Sequence, residues 1–251
     1  MAKLVILGTS HAVPDENHEN THLAVVGDSR MVLIDGSGNP QVRMKKAGLD
    51  DERLTDIIMT HLHPDHVSGI PLLLMGMGLS RRERPLNVFA IEHCMEPMKK
   101  MLEWYEWDTW HFFPVHFHTL PEEDLHLVID CDEFRLLTSP VKHFIPTIGV
   151  RVEFKKTGKV FAYSCDTAPT PSLIPLAKDA DIFVHEAAGA SVGHSSAAQA
   201  GEIAAQANAK SLYLIHYPTG GYNYQKLAEE AQATYGKPVI ITEDFMEIDL
   251  S

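Results

Sequence analysis

The sequence is poor in cysteine, in basic charge and in long apolar runs, and each shortage removes a class of protein. Its 3 cysteines, Cys94, Cys131 and Cys165, are odd in number and far apart, which argues against a disulfide framework. No apolar stretch approaches the roughly 20 residues that a membrane-spanning helix needs. The opening residues, Met1 to Gly8, are too short and too β-like for a secretory signal. No membrane partner and a cytoplasmic location are therefore expected. Asp and Glu outnumber Lys and Arg by 34 to 21, a formal net charge of -13. Nucleic-acid binders usually carry a basic field, so nucleic acid is not the expected partner. The densest basic patch, Arg81-Arg82-Glu83-Arg84, reads as a solvated corner. No fixed short repeat and no low-complexity linker divides the chain. With 251 residues, of which 45% are hydrophobic, the expectation is one domain spanning 1–251 around a large core.

What the chain does have is a crowd of metal-type side chains: His61, His63, Asp65 and His66 lie within six residues. The apolar run Thr55–Thr60 before them reads as a buried strand, and Val67–Leu74, continuing to about Leu79, as a helix. The turn between them thus lies at a strand's carboxyl end, where open α/β sheets place their ligands. Alternation sends His61 and His63 to the same side. Asp65 and His66 follow as the chain turns and can face a second centre. Neutral imidazole suits borderline divalent metals, and carboxylate suits a harder or second ion. Crowding of this kind has no packing rationale.

Other core-type strands end in the same kinds of residue. Asp35 closes a strand before Gly36-Ser37-Gly38, where its carboxylate can orient a metal-binding histidine or accept turn amides. His143 ends a strand before a turn, Asp166 follows the strand from Val160, His185-Glu186 follows Asp181–Val184, and His216 follows Ser211–Ile215. Cys165 points away by alternation and reads as a small core residue. Gly193-His194-Ser195-Ser196 precedes a helix, with Ser196 and Gln199 matching a capping box. His11 and His18, in the loop Thr9–Asn20, and His22 after it read as surface histidines on a loop that can border the site. The stretch Trp104–His118 holds all 3 tryptophans. It reads as an aromatic cluster packed under a loop, as an apolar wall over the site, or as a dimer contact. Two halves, each strand-rich first and helix-bearing later, suit two sheets with helices outside.

His61-x-His63-x-Asp65-His66 resembles the HxHxDH signature of the metallo-β-lactamase superfamily, and the whole chain resembles its ribonuclease Z branch. Leu7-Gly8-Thr9 with Pro14, Asp35-Gly36-Ser37-Gly38, His143 with Ile145–Arg151, and Ser164-Cys165-Asp166-Thr167 are similar to successive motifs of that branch. So are His185-Glu186-Ala187, Gly193-His194-Ser195 and His216 in Ile215-His216-Tyr217. The resemblance implies an α/β (α+β) fold, a four-layer αββα sandwich of two mixed sheets with outer helices. It implies two divalent ions, zinc first and manganese compatible. His61, His63 and His143 would hold one, Asp65, His66 and His216 the other, with Asp166 bridging. Such a pair acidifies a shared water, giving a bridging hydroxide, and clamps the oxygens of an in-line displacement at phosphorus. Asp65 counts with the catalytic residues as well as the ligands. Glu186 and His194 form either a proton relay, in which His194 protonates the leaving oxygen, or a structural hydrogen bond between strand end and helix start.

One departure bears on substrate. Ribonuclease Z enzymes that process transfer RNA carry a long glycine- and proline-rich arm, in the bacterial type between the positions matching His143 and Asp166. Here those residues stand 23 positions apart, an interval filled by two strands and the turn Lys155-Lys156-Thr157-Gly158, with no room for the arm. Cyclic phosphodiesterases of the branch also lack it. The expectation is a homodimeric, dinuclear-metal hydrolase of small phosphodiesters, cyclic nucleotides among them. The alternatives are a lactonase or carboxylic esterase on the same site, a ribonuclease Z-type RNA endonuclease, and a non-catalytic metal-binding protein. A bridging aspartate separates the chain from β-lactamases, and histidine rather than glutamate at position 63 separates it from redox di-iron proteins.

Overall fold

The structure, a computed structural model, describes residues 2–251; Met1, the first residue of the opening β-like segment, lies outside them. Strands β1 (Lys3–Gly8), β2 (His22–Val26), β3 (Met31–Ile34), β4 (Asp56–Ile58), β5 (Leu86–Ile91) and β6 (Val115–Leu120) come from the first half of the chain. The second half supplies β7 (His126–Asp130), β8 (Phe134–Val141), β9 (Thr147–Phe154), β10 (Val160–Tyr163), β11 (Ile182–Glu186), β12 (Leu212–Ile215), β13 (Val239–Ile241) and β14 (Glu247–Asp249). The helices are α1 (Pro40–Lys46), α2 (Pro64–Val67), α3 (Ile70–Leu79), α4 (Glu92–Trp104), α5 (Leu173–Ala177), α6 (Ala197–Gln206) and α7 (Tyr224–Tyr235).

They form two seven-stranded sheets, in the orders β14-β1-β2-β3-β4-β5-β6 and β13-β12-β11-β10-β9-β8-β7. Both are mixed in the same way. The segment β14-β1-β2-β3 is antiparallel and β3-β4-β5-β6 parallel. In the second sheet β7-β8-β9-β10 is antiparallel and β10-β11-β12-β13 parallel. Parallel neighbours need a crossover, normally a helix, and α1, α2–α3, α4, α5, α6 and α7 are those crossovers. They pack on the outer faces: α4 against β5 and β6, α6 against β11 and β12, α7 against β13. The result is the expected αββα sandwich.

The parallel strands are buried on both faces, as covered parallel strands are: every residue of β3, β4 and β11 is buried. Leu4, Ile6, Leu33, Phe134, Val150 and Phe161 belong to one continuous core reaching from sheet to sheet. A second core lies between the second sheet and its helices, built largely from alanine, Ala197, Ala200 and Ala204 among them, so that α6 sits close to the strands. Ser196 and Gln199 make the expected capping box, and Asn223 caps α7.

Several expectations need correction. The helix after the histidine motif is two helices, because Gly69 interrupts it. A Cβ on Gly69 would meet the carbonyl oxygens of Gly38 and Gly36 at 2.8 and 2.9 Å, so the motif turn lies directly against the Asp35–Gly38 loop. The aromatic stretch contains an edge strand, β6, and none of its residues lines the histidine cleft. Arg82 is not a solvated corner: it is buried and donates to the carbonyls of Asp51, Glu52, Leu54, Arg84 and Pro85.

Candidate metal centre

The carboxyl ends of β3, β4, β10, β11 and β12 converge at one end of the sandwich. Asp35 follows β3, His61 follows β4, Asp166 follows β10, Glu186 ends β11 and His216 follows β12. Asp35, Cys165 and His216 all have positive φ, at 62°, 53° and 52°. Non-glycine residues in the left-handed region are uncommon, and such strain gathers at functional sites. Here it turns three strand ends sharply toward the histidine cluster, with Asp35 against His66 and Cys165 beside His61.

His61, His63 and His143 form one group. His63 Nδ1 lies 3.0 Å from His61 Nε2 and 3.0 Å from His143 Nε2. Burial lowers the pKa of all three, which leaves neutral imidazoles with lone pairs free. The far nitrogens are held: His143 Nδ1 donates to Gly193 O at 2.7 Å, and His61 Nδ1 lies 3.1 Å from Thr60 Oγ1. Gly193 has φ 76°, and a Cβ there would press on His143 Nδ1 at 3.0 Å, so this loop has to be glycine.

Asp65, His66, Asp166 and His216 form the second group, with ligand atoms all within 4.8 Å of one another. Asp166 Oδ2 lies 3.1 Å from His216 Nε2, 3.4 Å from His66 Nε2 and 3.9 Å from His143 Nε2, so one carboxylate faces both groups. Burial alone would raise the Asp166 pKa, but His216 and His66 outweigh it and hold the group ionised. Burial opposes protonation of His66 as well, and the charges of Asp166 and Asp35 outweigh that.

The fit to cations rests on unpaired buried atoms. Asp166 Oδ1 is buried with no hydrogen-bond partner, and His66 Nε2 is buried with no hydrogen bond and only the carboxylates of Asp166 and Asp65 near it, at 3.4 and 3.7 Å, a costly condition unless something binds them. Nitrogens 3.0 Å apart, converging from three rings, have the spacing of a shared metal with Zn–N bonds of roughly 2.0–2.1 Å. Donors of imidazole and carboxylate type suit zinc and are compatible with manganese.

The supports were only partly legible. Asp35 reaches His66, and the amide it accepts from belongs to Thr60 and not to its own turn. Its Oδ1 accepts from the Thr60 amide at 2.8 Å, and its Oδ2 accepts from His66 Nδ1 at 2.8 Å. Cys165 is the buried core residue expected of it, but it does not point away. Its positive φ breaks the alternation, and its Sγ lies 3.0 Å from Thr60 Oγ1 and 3.7 Å from His61 Nδ1, directly beneath the cluster. Burial, then the charges of Asp166 and Asp35, keep it a thiol. His22 is fully buried rather than superficial, and His11 lines the cleft. Thr21 Oγ1, 3.2 Å from His216 Nδ1, carried no sequence signal.

Glu186 and His194 stand beside the groups. Glu186 is fully buried; its Oε1 accepts from Thr167 N, His194 Nδ1 and Ser195 N, and its Oε2 from Ala188 N. Burial opposes the charged form of His194, but the hydrogen bond and charge of Glu186 outweigh it and raise the His194 pKa. With Nδ1 tied to Glu186, Nε2 is left for the cleft, which has a volume of about 440 Å³ and is lined by His11, Val13, His63, Asp65, Asp166, His194 and His216, among others. Phe144, 58% exposed, stands 5.0 Å from the His143 ring and 5.8 Å from the His194 ring. It also lines a second open hollow of about 550 Å³ with Lys142, Thr170 and Ser172.

Comparison with known proteins agrees with this geometry. The family described as the beta-lactamase superfamily domain matches residues 30–217. Ribonuclease Z of Methanothermobacter thermautotrophicus is 27% identical over an alignment covering 100% of this chain and 97% of the relative. That alignment spans 308 positions, so the relative carries segments with no counterpart among these 251 residues. Among solved structures, the metallo-beta-lactamase fold protein YhfI from Bacillus subtilis superposes with a TM-score of 0.84 at 19% identity, covering 98% of each chain. The short form of human tRNase Z superposes with a TM-score of 0.80 at 24% identity, covering 99% of each chain.

Proposed function

The chain belongs to the beta-lactamase superfamily, and from that premise we propose that this metal-dependent hydrolase is a dinuclear phosphodiesterase acting on small phosphodiesters, cyclic nucleotides among them. The observation that carries the proposal is Asp166: a buried carboxylate facing His143 on one side and His66 and His216 on the other, with Oδ1 unpaired. His61, His63 and His143 would hold one divalent ion, Asp65, His66 and His216 the other, and Asp166 both; zinc is the first choice and manganese the second. Bound there, the ions would acidify water and offset the charge of a phosphoryl group.

The remaining work falls to side chains of this chain. Glu186 holds the His194 imidazole at Nδ1, so that Nε2 can give a proton to a leaving oxygen. That need is greatest for phosphodiesters with poor leaving groups. Phe144, beside the rings of His143 and His194 and lining the hollow that contains Lys142, offers an apolar face to an aryl or nucleoside leaving group. A small substrate is favoured because β9 and β10 pair directly, Val160 with Glu153 through Tyr163 with Val150, and the connection between them is the tight turn at Gly158. The net charge of -13 also disfavours RNA. A ribonuclease Z-type activity is the second reading, supported by the named relatives. No helix among the described residues is long and apolar enough to cross a membrane. The homodimer belongs to the proposal too: Leu72, Tyr105 and Trp110 line a shallow apolar groove suited to a second copy.

The deciding experiment compares kcat/KM of the zinc-loaded protein on bis(p-nitrophenyl) phosphate, 2′,3′-cyclic nucleotides, an aliphatic lactone and a transfer-RNA precursor. Phosphodiesters should be cleaved far faster than the lactone. A preference for the lactone overturns the reading, and efficient precursor cleavage replaces it with the second.

A further inference from the structure

Two imidazoles flank the cleft, and their hydrogen bonds give them opposite characters. His194 Nδ1 faces the carboxylate of Glu186 at 2.9 Å, an acceptor, so that nitrogen carries a proton. His11 Nδ1 faces the backbone N–H of Val13 at 2.9 Å, a donor. An N–H group can only donate, so His11 Nδ1 is the acceptor and is unprotonated. In a neutral imidazole the proton then sits on the other nitrogen. His11 therefore presents an Nε2–H, and among the described residues no side chain or carbonyl takes it.

His11 is also held more firmly than a surface loop residue needs to be. Its N–H donates to Tyr217 O at 3.2 Å. Its carbonyl accepts from Ser10 Oγ at 2.9 Å and from Asn20 Nδ2 at 2.7 Å. The ring stands edge-on to His216, with centroids 6.5 Å apart, and lines the cleft together with Asp65 and His194. Backbone and Nδ1 are all engaged, and the one group left over is a donor at the mouth of the candidate centre.

We propose that His11 is a further catalytic residue: a neutral imidazole whose Nε2–H donates a hydrogen bond to a non-bridging oxygen of the phosphoryl group. The proposal rests on the phosphodiesterase reading and deepens it. Charge builds on those oxygens as the displacement proceeds, and a fixed donor aimed at them lowers the barrier without itself moving a proton. A neutral N–H is the right group for the task, because it stabilises charge and does not protonate the substrate. His194 supplies the proton and His11 does not, so the cleft divides the two roles between two rings of the same kind.

The test uses two substitutions. His11→Asn keeps a side-chain oxygen to accept the Val13 N–H in a local turn but is too short to place a donor where Nε2 lies. His11→Gln returns an N–H at about that reach. In zinc-loaded protein His11→Asn should lower kcat on bis(p-nitrophenyl) phosphate about a hundredfold, the scale for one such donor, with KM changed far less. It should also weaken inhibition by inorganic phosphate and leave metal content and melting temperature unchanged. His11→Gln should recover at least a tenth of the wild-type kcat. The ring ¹⁵N shifts of His11 should report the Nε2–H tautomer. Full activity in His11→Asn, loss of metal from it, or an Nδ1–H tautomer overturns the proposal. If the wild type cleaves no phosphodiester, the function reading fails by itself, and phosphate affinity decides for His11: equal binding by wild type and His11→Asn overturns the assignment.

Discussion

His66 Nδ1 stands 2.8 Å from Asp35 Oδ2, and both side chains are buried. The bond keeps a proton on Nδ1 and leaves Nε2 facing Asp166. A histidine that binds metal is held in this way by a carboxylate behind it, and loss of such a partner costs about 10–100-fold in metal affinity. Asp35→Asn should therefore weaken zinc binding by that factor, measured by competition with a chromogenic chelator, while the fold survives. Unchanged affinity would show that the carboxylate serves only the Thr60 amide.

Removing the carboxylate shared by the two groups should do more. Asp166→Ala and His63→Ala should each lower zinc content after dialysis and abolish hydrolysis. Elemental analysis reads the first effect and single-turnover assays the second. An Asp166→Ala protein that retains two zinc ions contradicts the bridging role.

Glu186 and His194 should act on rate and spare metal. His194→Ala should reduce kcat on a substrate with a poor leaving group by about 10²–10⁴, with little effect on bis(p-nitrophenyl) phosphate and none on metal content. The pH profile separates the two residues. As the proposed acid, His194 would act while protonated, and Glu186 raises its pKa, so activity should hold through neutral pH and fall as pH rises through that raised value. Glu186→Gln removes the charge and should move this alkaline limb to lower pH. A limb that stays in place rules out the relay and leaves a structural hydrogen bond.

Much of this centre was readable before the fold was known, and the reason is local. His61, His63, Asp65 and His66 sit within one turn, and Asp35, Asp166, Glu186 and His216 each close an apolar run, so alternation and strand ends were sufficient to find them. What escaped notice depends on contacts between distant segments. Cys165 defeats alternation because its φ is 53°. His22 is covered only once its strand is seated in the first sheet. Glu247–Asp249 joins that sheet beside Lys3–Gly8, at the opposite end of the sequence. His11 gains its meaning from a hydrogen bond inside its own loop and from His216, more than two hundred positions away.

Acid should unfold the protein through histidines outside the two ligand groups. Burial lowers the pKa of His22 and of His185 to about 4, against an ordinary 6.5. The folded chain keeps both neutral while the unfolded chain protonates them. Stability from this source is complete above about pH 6.5 and is lost as pH falls through about 4, at most roughly 3 kcal/mol for each. Urea unfolding of the metal-free protein at pH 7 and at pH 4.5 checks the sign. His185→Leu should flatten the dependence, and an unchanged slope in that variant would assign the acid sensitivity elsewhere.

Phe144 should matter for substrate and not for metal. Phe144→Ala should raise KM for aryl and nucleotide phosphodiesters several-fold and leave zinc content as it was. An equal loss on methyl and aryl esters would remove its role at the leaving-group side.

The most direct test of the whole account is the rate of bis(p-nitrophenyl) phosphate hydrolysis as zinc is added back to metal-free protein. The account predicts almost no rate without metal and a plateau at two equivalents per chain. A plateau at one equivalent, or no hydrolysis at any loading, would contradict it.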